Sequence, residues 1–509
     1  MRRLIFGTAI TGAWFALALT PDPVAAHALG QVFTLPVPLT LYLGAAGAAV
    51  AASFVVAVVI VRPPGPQPRY RVRPVVARTA RRTSLVFQVV GLVWWLGAIV
   101  AGFSVDPISA LPAVLFWVGI WVGLPIIAVL IGNPWPSLSP FRTLFGLAER
   151  LVRLTGFDRL DLGASYPGVL GRWPAVALLG AAIWAELILP DRTTPSTIGW
   201  VLSGYTVITL VGMLVFGKVA WLRNVEVFEV LLGWFGRVGP IGRRVLDPAV
   251  CTDCGDECDP ERCVDCPECS AAAEPGQRRV ELRPWFSGLT EVRRAGWSDA
   301  ALITLALAGV SFDGFSETGA WGAVMSPSLD FLFPIIGAGS AVLLVLSVGL
   351  AGMWLTFLAA FSLAARLTRA MHDPDRQVAP LGATAGAYAA TLLPIAGGYL
   401  VAHYLTLLIQ GIAWLPSLLV DPLITVAPPL DWIPISVVWY LSVGAIVVGH
   451  IAAVVLAHRL ALREAPRRPA LAGLPLVILM VAYTVFSLWI IAQPITIEPT
   501  GGPAAFLAR

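Results

Sequence analysis

Apolar residues in this chain come in long, nearly unbroken runs. They show neither the alternation of a half-buried strand nor the one-sided stripe of a surface helix. Ten such runs lie near 39–61, 84–104, 110–132, 173–190, 198–220, 298–316, 336–365, 381–410, 433–457 and 470–492. Most are close to the ~20 residues that carry a helix across the hydrocarbon core of a bilayer. Backbone N–H and C=O groups in lipid have no water to bond, so a spanning segment must satisfy them internally, as a helix does. The pattern predicts an all-α integral membrane protein with about ten transmembrane helices.

One shorter apolar stretch opens the chain. MRRLIFGTAITGAWFALALTPDPVAA places Arg2 and Arg3 ahead of a greasy segment and ends on small residues, the order of a signal peptide over 1–26. The spans then fall into two groups of five, within 27–220 and 298–495, on either side of one long polar segment, 221–297; a tail, 496–509, closes the chain.

Charge orients the spans. The segment 62–82 holds seven arginines, and Arg142, Arg150, Arg153, Arg159 and Arg172 follow the third span. Arg366, Arg369 and Arg376 follow the seventh, and Arg459, Arg463, Arg467 and Arg468 the ninth. The intervening loops carry Asp106, Asp191, Asp330, Asp421 and Asp431 with few cations. Every second loop is basic, which places those loops and 221–297 in the cytoplasm of a plasma-membrane protein, with both mature termini outside.

Composition narrows the class further. Hydrophobic residues make up 57% of the chain and charged residues 13%, with a mean hydropathy of +0.80. A soluble chain needs about 25% charged residues to cover its surface. Of the basic residues other than histidine, all but Lys218 are arginines, and they cluster at the ends of apolar runs, where topology accounts for them. No nucleic-acid partner is predicted; the partners are lipid and a small molecule or ion.

Two groups of residues carry candidate chemistry. CTDCGDECDPERCVDCPEC holds all six cysteines, Cys251, Cys254, Cys258, Cys263, Cys266 and Cys269, among seven carboxylates. Stable disulfides are rare in the cytoplasm. Cys251/Cys254 and Cys263/Cys266 are CxxC knuckles whose thiolates can bite one ion, which points to zinc. Cys263, Cys266 and Cys269 also have the spacing of an iron–sulfur run, the alternative cofactor.

The second group lies within the spans, where an ionisable side chain costs several kcal/mol unless it is paired, and so marks function. Glu186, Asp313 and His403 fall at similar depth in the outer half, with Tyr205, Glu317 and Tyr404 near that level; one shared pocket is the functional expectation, and headgroup contacts or helix caps the structural one. His450 lies deeper, and His458 sits at the cytoplasmic end of the same run. Histidines in such helices also serve as interhelical hydrogen-bonding groups. P-loop, dinucleotide, nucleophile-elbow and zincin motifs are absent from the sequence.

Several phrases together carry a resemblance: HALGQVFTLPVPLTLYL, GNPWPSLSPFR, WPAVALLGAAIWAELILP, VEVFEVLLGWFGRVGP, SFDGFSETGAW, PIAGGYLVAHYLTLL and VVGHIAAVVLAHRLAL. Over most of its length outside the cysteine stretch, the chain resembles the fenitrothion hydrolase-like membrane proteins. The resemblance implies hydrolysis of an organophosphate triester. Glu186, Asp313, His403, His450 and His458 all fall within its phrases. One expectation is then a metal on His403 with Asp313 or Glu186, activating water against the P=O group. The alternatives are an ion or metal transporter using the same side chains, and an electron-transfer protein with an iron–sulfur cluster.

Overall fold

A computed structural model of the chain describes residues 26–28, 31–33, 39–61, 71–74, 77–157, 159–246, 249–250, 265–291, 295–371, 380–430, 432–465 and 467–493. The predicted signal peptide except Ala26, the tail, and Cys251, Cys254, Cys258 and Cys263 lie outside these residues.

The fold is all-α. The helices are α1 Leu39–Ile60, α2 Ala77–Ser104, α3 Leu111–Leu130, α4 Pro140–Leu154, α5 Trp173–Leu187, α6 Pro195–Phe216, α7 Lys218–Asn224 and α8 Val227–Gly236. After them come α9 Pro267–Ala272, α10 Trp297–Ser316, α11 Gly319–Ile336, α12 Ala338–Ala370, α13 Leu381–Ala390, α14 Leu393–Val420, α15 Ile435–Glu464 and α16 Pro469–Ala492. Among the described residues ten helical stretches are long and apolar enough to cross a membrane. The chain is therefore a multi-pass membrane protein.

Nine of those stretches coincide with predicted spans. The run 173–190 forms a helix of only 15 residues, α5, which ends where Leu189, Pro190 and Asp191 follow. The tenth long helix is α11, in a segment read from sequence as a loop. It carries Pro327 and Pro334 inside the helix, and Asp330, the features that disguised it. The eighth span is broken at Thr391–Leu392, because Pro394, in the first turn of α14, has no N–H to continue α13.

Close helix crossings depend on glycine. A Cβ on Gly398 of α14 would lie 2.4 Å from the Ala445 carbonyl oxygen, and one on Gly449 of α15 would lie 2.3 Å from that of Pro394. The two backbones touch directly there, the small-residue packing that membrane helices use where lipid gives no hydrophobic drive.

The first part of 221–297, the segment between the two groups of spans, packs into the helical core. Nearly every residue of α8 is buried, with Phe228, Leu232 and Trp234 in the main core. Beyond it β4 (Ile241–Val245) and β3 (Arg71–Pro74) flank the central strand β5 (Arg278–Leu282), antiparallel on both sides. A separate hairpin of β1 (Ala26–Ala28) and β2 (Gln31–Phe33) lies at the start of the described chain.

Candidate functional site

Glu186 and Asp313 meet because α5 and α10 run side by side from a shared anchor. Arg172, just before α5, pairs with Asp299 in the first turn of α10. Glu186 stands 14 residues after Arg172, and Asp313 stands 14 after Asp299. Both are carried about 21 Å along their helices to one level. In between, Gly309 admits Ile183, which would lie 2.8 Å from an added Cβ.

At that level α14 supplies His403 and Tyr404. The His403 Nε2 lies 2.9 Å from Asp313 Oδ2. The Tyr404 hydroxyl is 2.8 Å from the same Oδ2 and 3.2 Å from Glu186 Oε1. Trp121 of α3 also hydrogen-bonds Glu186. The His403 ring stacks on Tyr399, centroids 5.9 Å apart and 7° from parallel, and meets Tyr404 edge-on. Gly314 leaves room for the stack: a Cβ there would lie 3.0 Å from the Tyr399 oxygen and 3.4 Å from His403 Cε1.

A phenol has one hydrogen to donate. Tyr404 faces two carboxylates, and two ionised carboxylates sharing a site repel. Either the hydrogen is shared or one carboxyl holds a proton and donates it to the Tyr404 oxygen.

The carboxylates face a cavity of about 330 Å³. Its apolar wall includes Trp117, Phe312, Trp321, Met325, Leu346 and Leu407, and its charged lining is Glu186, Asp313, Glu317 and Arg192. Trp117 and Trp121 come from a stretch of α3, Val114–Gly123, wound as a π-helix, a form that recurs at functional sites. His403 stands behind Asp313 rather than on the wall.

The cavity sits at a helix break. α10 ends at Ser316, and Thr318 restarts the helix by accepting a hydrogen bond from the Trp321 N–H. Glu317, on the wall, lies in the gap. α11 then turns at Gly337 (φ +77°) into α12, and Trp321 comes back against Gly349. Trp354, further along α12, donates to the Ala301 carbonyl of α10. The long α12 thus packs against both α11 and α10, across the break between them. Irregular backbone at membrane depth is tolerated where it lines a cavity.

The other predicted residues lie elsewhere. His450 is fully buried, its Nδ1 2.8 Å from the Ile446 carbonyl oxygen and its Nε2 without a partner among the described residues. His458, also buried, meets Phe54 edge-on. Neither lines the cavity. The arrangement expected for a metal-dependent hydrolase is not seen: among the described residues no three His, Cys, Asp or Glu side chains are placed to hold a metal ion. Asp313 Oδ2 is instead engaged by His403 and Tyr404. Cys266 and Cys269 bracket the first turn of α9, with Cys269 buried.

Sequence reading missed a second polar cluster. Glu226 caps α8, accepting from the Phe228 and Glu229 N–H groups, from Trp135 Nε1 at 2.9 Å and from the Tyr205 hydroxyl at 2.6 Å. Trp95, Phe141 and Phe228 close around Tyr205. Burial pushes the Glu226 carboxyl up to about 7, against the opposing bond from Tyr205. Glu229 pairs with Arg142 of α4, which also holds Glu268 of α9. Burial weakens the Arg142 charge, yet Glu229 and Glu268 more than restore it, and its pKa stays above the usual range. Asp265 in turn binds the buried Arg283 at 2.8 Å, while Arg283 donates to the Gly236 carbonyl at the end of α8. The end of the cysteine stretch is thereby tied to the helical core. The acidic pair in VEVFEV was the available signal.

No protein family, curated protein or solved structure matches the chain.

Proposed function

We propose that this chain is a proton-linked carrier of a small cationic solute, with Glu186, Tyr404, Asp313 and His403 as its working site. The observation behind this reading is the continuous chain of hydrogen bonds from Glu186 to His403, beside a cavity at the break between α10 and α11. Interrupted helices at such sites offer backbone groups and dipole ends to ions. The C-terminal end of α10 and the carboxylates add negative potential on the same side.

Liposomes holding the protein and a trapped pH dye test the reading, supplied in turn with sodium, potassium and small organic amines. One or more of these cations should drive proton movement in the wild type, and Asp313→Asn and Glu186→Gln should remove it. No cation-driven movement, or equal movement in the variants, rejects the carrier reading.

A second reading, hydrolysis of a phosphotriester, is favoured by the His403–Asp313 pair, a base oriented by a carboxylate, and by the family resemblance. It requires that His403→Ala abolish turnover of such a triester; turnover at the wild-type rate excludes it. The cysteine stretch takes zinc in this reading, or alternatively an iron–sulfur cluster. The placing of Cys266 and Cys269 within one turn fits a thiolate knuckle. Metal analysis of the purified protein beside a Cys266→Ser/Cys269→Ser variant decides that part. The arginine pattern supports a plasma-membrane location with this segment on the cytoplasmic side.

A further inference from the structure

Glu186 is a partly buried carboxylate whose hydrogen-bond partners, Tyr404 and Trp121, are both neutral. Among the described residues it has no ion-pair partner. It faces a cavity whose charged lining is three carboxylates against one guanidinium, that of Arg192. Across from the acids the wall is aromatic and aliphatic.

The wall bearing Trp321 and Met325 belongs to α11, which packs on α12 and leaves Phe331 and Ile335 exposed, so a single apolar helix separates this side of the cavity from lipid.

We infer that the cavity binds an amphipathic organic ammonium ion, with its nitrogen at Glu186 and Asp313 and its apolar body against Trp117, Met325 and Leu407. This rests on the carrier reading and names its solute. The ammonium supplies the positive charge that Glu186 lacks, and aromatic faces favour cations. A volume of about 330 Å³ suits a ligand with one ring, at the small end of the usual range for ligand pockets.

The test is calorimetric titration of the full chain in nanodiscs with phenethylammonium and 2-phenylethanol. Phenethylammonium should bind at least about tenfold more tightly than the neutral alcohol. Glu186→Gln should erase that preference. Leu346→Trp, which fills the cavity without changing charge, should abolish binding, and it decides the matter if Glu186→Gln does not fold.

Equal affinity for amine and alcohol, or amine binding that survives Leu346→Trp, overturns the inference. Proton movement driven by sodium or potassium alone would sustain the carrier and overturn its proposed solute. Amine binding with no cation-driven proton movement would keep the site and sink the carrier.

Discussion

Replacing Arg142 by methionine isolates the contact that ties the cysteine-bearing segment to the membrane helices. The guanidinium engages Glu229 with two nitrogens, Nη2 at 2.9 Å and Nε at 3.0 Å, and reaches Glu268 at 2.6 Å. Methionine keeps much of the side-chain bulk and removes the charge. Glu229, whose side chain is 7% exposed, is then a buried carboxylate without its cation. Leaving one partner of a buried pair uncompensated costs about 3–5 kcal/mol. Glu268 adds less, because at 16% exposure it can turn toward water.

Thermal melting of the detergent-purified protein should fall by several degrees in Arg142→Met. Arg142→Met/Glu229→Gln should recover most of the loss, since neither buried group is then charged. The same single variant should speed labelling of Cys269 by a thiol reagent, because Glu268 no longer tethers α9. A single variant that melts with the wild type, or a double variant less stable than the single one, would refute the ion-pair argument.

Glu226 supplies a pH test. Its carboxyl is raised in the folded protein, so the stability it contributes is full below the unfolded value of about 4.5 and is lost as pH rises through about 7. Melting temperature should decline across that window in the wild type and decline less in Glu226→Gln; parallel profiles would exclude the assignment. In Gly314→Ala the new Cβ would lie 2.7 Å from Ile490 and 3.0 Å from the Tyr399 oxygen, displacing the Tyr399–His403 stack. Proton movement should drop sharply while the protein still folds, and a fully active variant would show that the stack does not position His403. Gly398→Ala would drive a methyl group against the Ala445 carbonyl, so α14 and α15 must separate. A loss of at least about 1–3 kcal/mol is expected for such overpacking, measured as a lower melting point; wild-type stability would contradict the close crossing.

The sequence determined the class of the protein and most of its crossings. Runs of apolar residues need no partner to declare themselves, because the bilayer acts on each segment separately. It also singled out Glu186, Asp313 and His403, since an ionisable group in such a run stands out on cost alone. What it left open was whether those residues share a site. That depended on the α5–α10 register, set by the Arg172–Asp299 pair and the Gly309–Ile183 contact, and on Pro394 delivering α14 at the right level. α11 was hidden because its two prolines and an aspartate read as loop signals, whereas the structure accommodates them in a helix held against α12. Glu226 and Glu229 were passed over for a related reason. They stand outside the apolar runs that mark the spans, and it is the tertiary packing of α8 beneath Trp95, Trp135 and Phe141 that buries them. A span can be read from its own residues, but a site is made by side chains from helices far apart in the chain, and only packing brings them within bonding distance.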